Sequence, residues 1–520
     1  MSEAELIGSI DAGTTSVRFI IFDEFGQIQA KHGMEFTQYY EQPGWQEQDA
    51  HEMYDRIVQC IGTAIVKLEQ FGRYTREQIK VIGVTNQRET TVVWDKETGR
   101  ALTRAIAWPD ARTTGVVKQL AKSHPKGTNA VKKETGLPLS TYFAAVKLRW
   151  MLENIPEVKE AHDQKRMLFG TMDSWIVYNL TGRKVHVTDA SNASRTMLMD
   201  LRKLEWDPSL CEFFGVDMDI LPEIKSSSEV YGQVESGILR GVEIAGMAGD
   251  QMAALVGQKA LSPGDAKNTY GTGAFLLYNT GSKIVHSERG LLSTIAYQPG
   301  PNTAPVYALE GSIAVAGSAV KWLRDQMGLI KESNDVGIEA AKVEDSGGIY
   351  FVTAFAGLLS PVWDASARGT IVGITGYTTR EHVCRATLEA VCYQTEAVVR
   401  NMAEESGVKI KNLHVDGGMV NSDEGMQIQA DILGITVSRP EMRETTALGS
   451  ALLAGAAKGM FGWKLDDPET FKDVNTKNGD QFKPRIDDVR RRKMIRGWER
   501  AVVRAKGWEE EGDGELDVKA

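Results

Sequence analysis

Two stretches about half a chain apart share one design, and no other feature of the sequence limits the fold as much. In the first, residues 6–28, an apolar run enters a turn of small and hydroxylated residues (Ala12-Gly13-Thr14-Thr15-Ser16). A second apolar run (17–22) and a further turn (24–26) follow. In the second, residues 266–280, a strand-like run meets Gly271-Thr272-Gly273, and the apolar run 274–278 follows. Short apolar runs bounded by Gly-rich turns predict hairpins in buried sheets. Two of them predict an internal duplication. Its boundary is expected near 257–264, where GQKALSPG carries Pro263 and two glycines.

Helical patterns lie beyond each hairpin. Over 51–70, Met53, Ile57, Cys60, Ile61, Ala64, Ile65 and Leu68 recur at three- and four-residue spacing, one apolar face of an amphipathic helix. Residues 380–405 predict a longer helix, and the Ala/Gly-rich 444–459 one suited to close packing on a sheet. Strands with helices on both faces predict an α/β fold. Late in the chain, Ile495, Trp498, Val502 and Trp508 predict the buried side of a helix. The basic run Arg490-Arg491-Arg492-Lys493 is its solvated face, since acidic residues flank it. The last twelve residues, 509–520, are acidic, lack aromatic residues and predict a disordered tail.

Composition excludes several classes. Apolar residues are 42% and charged residues 25%, ordinary for a globular chain. The net charge of −10 argues against a broad nucleic-acid surface. Cys60, Cys211, Cys384 and Cys392 form no CxxC pair, so neither a structural zinc site nor a disulfide framework is expected. We read no signal peptide and no membrane span, and expect a cytoplasmic protein.

Five short segments carry chemistry. In the first turn Gly13 admits an anion to the backbone, Thr14, Thr15 and Ser16 add hydroxyl donors, and Arg18 adds a planar cation suited to phosphate. Asp11, at a strand end, suits a hydrated magnesium ion. The Gly271–Gly273 turn is a second phosphate candidate. Asp416-Gly417-Gly418 is either a bare surface for an adenosine or a plain tight turn. Asp250, between Gly249 and Gln251, is either a general base for a hydroxyl or a helix N-cap. In Asn86-Gln87-Arg88-Glu89-Thr90 the Arg–Glu pair offers a donor and an acceptor to a small polyol, or is a surface ion pair of little worth.

Two phosphate turns, an adenosine turn and a boundary aspartate resemble the ATP cleft of actin and hexokinase. DAGTTSVR (11–18), NQRETT (86–91), VTDASNASRTM (187–197), the GDQ at 249–251, NTYGTG (268–273) and TTALG (445–449) resemble the FGGY carbohydrate kinases, and among them the branch that phosphorylates glycerol. The resemblance runs from about residue 7 to residue 508. It implies two duplicated actin/hexokinase-like (ribonuclease H-like) α/β domains around an ATP cleft, 1–257 and 258–508. It implies transfer of the ATP γ-phosphoryl group to glycerol with Mg2+ held by Asp11 and Asp250, Asp250 serving as base. Arg88, Glu89, Tyr142, Asp250 and Gln251 are then expected on the glycerol hydroxyls, with Trp108 and Phe275 walling its carbons. Thr14, Thr15, Ser16 and Arg18 are expected on the transferring phosphate, and Thr272, Gly317 and Gly418 on the rest of the nucleotide. A homodimer or homotetramer is implied as well. The sequence departs from the family pattern at Ala12, Pro109, Lys321 and Ser422, and in the stretch Ser360-Pro361-Val362-Trp363. The rival expectations are a kinase of another polyol or a pentulose, and a non-catalytic actin-like ATP-binding protein.

Overall fold

The protein is described by a computed structural model covering residues 4–509 except 71, 356, 365, 477 and 478. The acidic tail expected at 509–520 lies, from residue 510 onward, outside the described residues. Leu6–Ala12 (β1) is buried along its whole length, as the core strand of a two-faced sheet must be. The chain turns and returns antiparallel as Ser16–Phe22 (β2) and again as Ile28–Glu35 (β3). Helix Ala50–Gln70 (α1) buries the seven apolar positions of its periodic face and carries the chain to Ile79–Asn86 (β4), parallel to β1. Helix Ala144–Asn154 (α2), Ser228–Gln233 (β5) and Glu243–Gly249 (β6) follow, and Asp250–Gly257 (α3) closes this half. The sheet order is β5-β6-β4-β1-β2-β3.

The second half repeats the plan. Ala266–Tyr270 (β7) and Ala274–Gly281 (β8) form the second hairpin, and Leu292–Tyr297 (β9) and Val306–Ile313 (β10) extend it. Helices Gly317–Asp325 (α4) and Arg380–Ser406 (α5) lead to Asn412–Asp416 (β11), then Asp423–Leu433 (α6) to Thr436–Arg439 (β12). Thr445–Ala457 (α7), Asp480–Phe482 (β13) and Asp488–Ala505 (α8) end the fold. The order is β9-β10-β8-β7-β11-β12-β13. Strands β3-β2-β1-β4-β6 and β10-β8-β7-β11-β12 have the same senses: two antiparallel steps, then two parallel ones. The duplication visible in the two hairpins therefore extends to whole sheets.

One face of the first sheet packs on α1 through Ile10, Phe19, Ile57 and Ile61. The other is covered by α3 and by α7, a helix from the far end of the chain, through Ile7, Phe22, Val81, Leu448 and Leu452. Small residues allow this closeness. A Cβ on Gly257 would stand 1.9 Å from the Thr445 carbonyl oxygen, and one on Gly449 1.8 Å from that of Ala253. The two helices thus cross backbone on backbone.

In α8, Trp498 and Val502 are buried and Ile495 packs beside them, as expected. Trp508 is a correction: it follows the helix C-terminus and is 68% exposed, because the helix stops at Ala505 before the pattern returns to that face. Arg490 and Arg491 pair with Glu344 and Asp488 at the surface. No described helix is long and apolar enough to cross a membrane.

Candidate active site

Three parallel strands of the first sheet end level with one another: Ala12, Asn86 and Gly249 are in register. Open α/β sheets place ligand sites outside the carboxyl ends of their strands. Here Asp11, the Arg88–Glu89 turn and Asp250 emerge at that edge. The buried Ala12 contributes its carbonyl, which accepts from Gln87 N at 2.8 Å and anchors the turn.

That turn is tight. Thr90 N donates to Arg88 O at 2.7 Å, and Glu89 has φ of +59°, a region that favours glycine. Backbone strain of this kind collects at functional sites. It sends Arg88 and Glu89 inward, and both are buried. They are not a simple surface ion pair. Arg88 Nε stands 3.9 Å from Glu89 but 3.5 Å from Asp250, and its Nη1 donates to Glu310. Glu89 instead accepts from Arg195 Nε at 2.6 Å. Arg195 Nη2 also donates to Glu310 at 3.0 Å. Two buried carboxylates therefore alternate with two buried guanidiniums. Burial pushes the Glu310 carboxyl upward, but Arg195 and Arg88 outweigh that and hold it at about 2. Burial pushes Glu89 up despite the same two cations.

Asp250 is the first residue of α3, and Gly249, not Asp250, occupies the N-cap position. Its Oδ1 accepts from Gln251 N at 2.7 Å. Burial raises its pKa, with Arg88 and Lys267 opposing. The 187–197 segment is the scaffold beneath. Asp189 accepts from the Ser191 and Asn192 amides, Ser191 Oγ accepts from Gly249 N at 3.0 Å, and Asn192 exchanges side-chain hydrogen bonds with Asn86. One buried carboxylate thereby fixes both the Asp250 and the Arg88 turns.

Aromatic rings wall the space beside these groups. The Trp108 indole donates to Thr14 Oγ1 at 3.0 Å and lies edge-on to Tyr142 and Phe275, with centroids at 5.5 and 6.1 Å. Arg88 Nη2 donates to the Tyr142 hydroxyl at 3.3 Å. Phe275, on β8, comes from the second half of the chain. Pro109, next to Trp108, is exposed.

Asp11 is drawn in from the first turn. Burial pushes its carboxyl up to about 6; Arg18 opposes this, and Asp250 and Glu444 add to it. Arg18 lies 3.8 Å from Asp11 and donates to Glu444 at 2.8 Å. Thr15 is exposed, and Gly13 N donates to Ser16 O at 3.0 Å to close the turn. Among the described residues no group of three or more His, Cys, Asp or Glu is arranged to hold a metal. The Asp11–Asp250 pair, two mutually repelling carboxylates, has the chemistry that suits Mg2+, which keeps several waters and takes one or two carboxylates besides phosphate oxygens.

On the second half a cavity of about 340 Å³ is lined by Tyr270, Thr272, Gly317, Lys321, Gly418 and Ser422, among others. The two glycines of Asp416-Gly417-Gly418 differ. Gly417 has φ of +94°, and a Cβ there would meet the Tyr270 carbonyl oxygen at 2.3 Å, so it serves the backbone. Gly418 borders open space in the cavity. Ser422 Oγ accepts from Gly425 N at 3.0 Å and caps α6, which takes up one of its two acceptor positions.

The sequence reading missed Glu310, Arg195, Lys267 and Glu444. Glu310 and Lys267 each sit in a buried strand that is otherwise uncharged, and that was their signal. Lys267 Nζ donates to Gln251 Oε1 and to Thr269 Oγ1 at 2.9 Å, and burial lowers its pKa to about 8 against Asp416 and Asp250.

Residues 6–257 match the N-terminal domain of the FGGY family of carbohydrate kinases, and residues 266–458 its C-terminal domain. The chain belongs to the FGGY family of carbohydrate kinases. A glycerol kinase of Leifsonia xyli is 48% identical over 97% of this chain and 98% of its own. A probable glycerol kinase of Dictyostelium discoideum is 44% identical over 96% and 98%. The crystal structure of Plasmodium falciparum glycerol kinase with ADP superposes with a TM-score of 0.90, at 37% identity over 96% of this chain and 98% of that one. A xylulose kinase from Lactobacillus acidophilus, 21% identical with a TM-score of 0.81, shares the FGGY fold.

Proposed function

We propose that this carbohydrate kinase transfers the γ-phosphoryl group of ATP to glycerol, giving sn-glycerol 3-phosphate and ADP. The observation that carries the reading is the Asp250 carboxylate beside Arg88, next to a space walled by Trp108, Tyr142 and Phe275. The slot suits a short carbon chain with hydroxyls along one side. Full-length relatives named glycerol kinase, at 44–48% identity, support the choice of polyol.

Arg88 donates to one hydroxyl and Glu89 accepts from it or its neighbour. Gln251, held by Lys267, presents its amide to the same molecule. Asp250 takes the proton of the attacking hydroxyl as the new O–P bond forms and the bond from the γ-phosphorus to the β-phosphate bridge breaks. Its raised pKa makes it a better base than an exposed aspartate. Thr14, Thr15, Ser16 and Arg18 hold the transferring group, with Arg18 released from Glu444. Thr272, Gly317 and Gly418 hold the rest of the nucleotide in the 340 Å³ cavity. Asp11 and Asp250 are the residues that would hold Mg2+, which supplies neutralisation of phosphate charge. Phosphoryl transfer needs such positioning and charge balance more than covalent chemistry.

A coupled ADP-release assay across a polyol panel tests the reading. Turnover is expected with glycerol and not with pentuloses. Turnover with a pentulose alone would replace glycerol by that substrate, and none with any polyol would leave only nucleotide binding.

Lys321 gives a second prediction. It is exposed at the cavity rim, where attraction to a polyphosphate is worth about 1 kcal/mol and is screened by salt. Lys321→Gln is therefore expected to raise the KM for ATP about fivefold at low ionic strength and less at high, with the KM for glycerol unchanged. A glycerol KM that moves while the ATP constant stays flat would take Lys321 off the nucleotide side.

A further inference from the structure

Glu310 is the one charged residue of β10 and has no exposed surface. The strand belongs to the second sheet, where Glu310 lies opposite Leu277 of β8. Yet the partners of its carboxylate come from the first half. Arg88 Nη1 donates to Oε2, Arg88 Nη2 to Oε1 at 3.3 Å, and Arg195 Nη2 to Oε1 at 3.0 Å. Arg88 is also the residue that faces Asp250 and Tyr142.

The same strand runs on to the nucleotide cavity. It ends at Ile313, and within four residues Ala316 N and Gly317 N donate to Thr272 O and Gly271 O at 2.9 and 3.0 Å. Thr272 and Gly317 both line that cavity. One short rigid element therefore joins the carboxylate that orients Arg88 to the floor of the nucleotide site. Sliding the halves apart at this point would leave the Glu310 carboxylate buried without a partner, while Arg195 would keep Glu89 and Arg88 would keep Asp250. Breaking a buried pair is far costlier than the worth of an exposed one, so the arrangement is held or lost as a unit.

We propose that Glu310 is a positioning residue that makes polyol binding and nucleotide binding depend on each other. The inference rests on the glycerol reading above and adds to it a residue and a coupling. Glycerol on Arg88 and Asp250 favours the arrangement in which Glu310 is engaged, and that arrangement sets β10 and Gly317 for the nucleotide. By linkage the nucleotide must favour glycerol to the same degree.

The test is calorimetric titration of the wild type, Glu310→Gln and Glu310→Asp with a non-hydrolysable ATP analogue and Mg2+, with and without saturating glycerol, alongside steady-state kinetics. In the wild type, glycerol is expected to tighten analogue binding by about 5- to 150-fold, the usual span of site-to-site coupling. In the variants this factor is expected to fall to within about twofold of unity. Their KM for glycerol is expected to rise by about tenfold or more, and by more than kcat falls. A carboxylate that only holds the fold together would lower the melting temperature and leave the coupling factor intact, and that result overturns the inference. If Glu310→Gln does not fold, Glu310→Asp, which keeps the charge and shortens the reach, decides. Absence of coupling in the wild type overturns the inference whatever the variants do. A wild type that turns over no glycerol overturns the glycerol reading itself. Wild-type turnover with coupling retained in the variants overturns this inference alone.

Discussion

Asp250→Asn lowers kcat by a factor of about 10²–10⁴, the usual cost of removing a general base, while the affinity for ATP stays close to that of the wild type. The substitution keeps the shape of the side chain and its acceptor for Gln251 N, so α3 keeps its first turn. What is lost is the lone pair that takes the hydroxyl proton. Burial raises the Asp250 pKa above that of an ordinary aspartate. The acid limb of kcat/KM is therefore expected above the usual carboxylate range, with activity lost as pH falls through it. A variant retaining more than a tenth of wild-type kcat would remove Asp250 from the base role.

Arg88→Ala raises the KM for glycerol by about 10- to 150-fold, the equivalent of losing a charged hydrogen bond worth about 1.5–3 kcal/mol. The Kd for ATP, measured without glycerol, moves much less. The structure adds a second effect. Arg88 neutralises Glu310 and lies near Glu89 and Asp250, so its removal leaves buried carboxylates short of a partner. A stability loss of about 3–5 kcal/mol is expected, read as a lower denaturation midpoint. A rise in that Kd equal to the rise in the glycerol KM would show that Arg88 serves the fold and not the polyol.

The residues that announced themselves in the sequence lie in turns. Gly13–Ser16, Arg88–Glu89, Asp250 and Gly271–Gly273 break apolar runs, so polar side chains there stand out. The duplicated hairpins were legible for the same reason, since periodicity and glycine mark strand ends. Glu310, Arg195 and Glu444 were not. Their roles arise from partners 222, 106 and 426 positions away, and no local pattern encodes such a pairing. Asp416-Gly417-Gly418 was half legible. Two adjacent glycines mark a special backbone, but only the structure separates Gly417, packed on Tyr270, from Gly418, which borders the cavity. A surface ion pair was one of two readings of Arg88–Glu89, yet both residues are buried and each side chain has a nearer partner elsewhere. Adjacent residues on a strained turn need not point at each other. Trp508 misled because helical periodicity does not reveal where a helix ends.

The crossing of α3 and α7 has a consequence for how the chain is made. The face of the first sheet that bears Ile7, Phe22 and Val81 is covered in part by Leu448 and Leu452. On a ribosome, residue 257 emerges about 200 residues before residue 457. At about 5–20 residues per second, that apolar face waits on the order of 10–40 s for its cover. A nascent first half is thus complete in its hydrogen-bonded sheet and incomplete in its packing. The site edge at Ala12, Asn86 and Gly249 belongs to that unfinished sheet, so the order of synthesis leaves the future cleft among the last regions to become rigid.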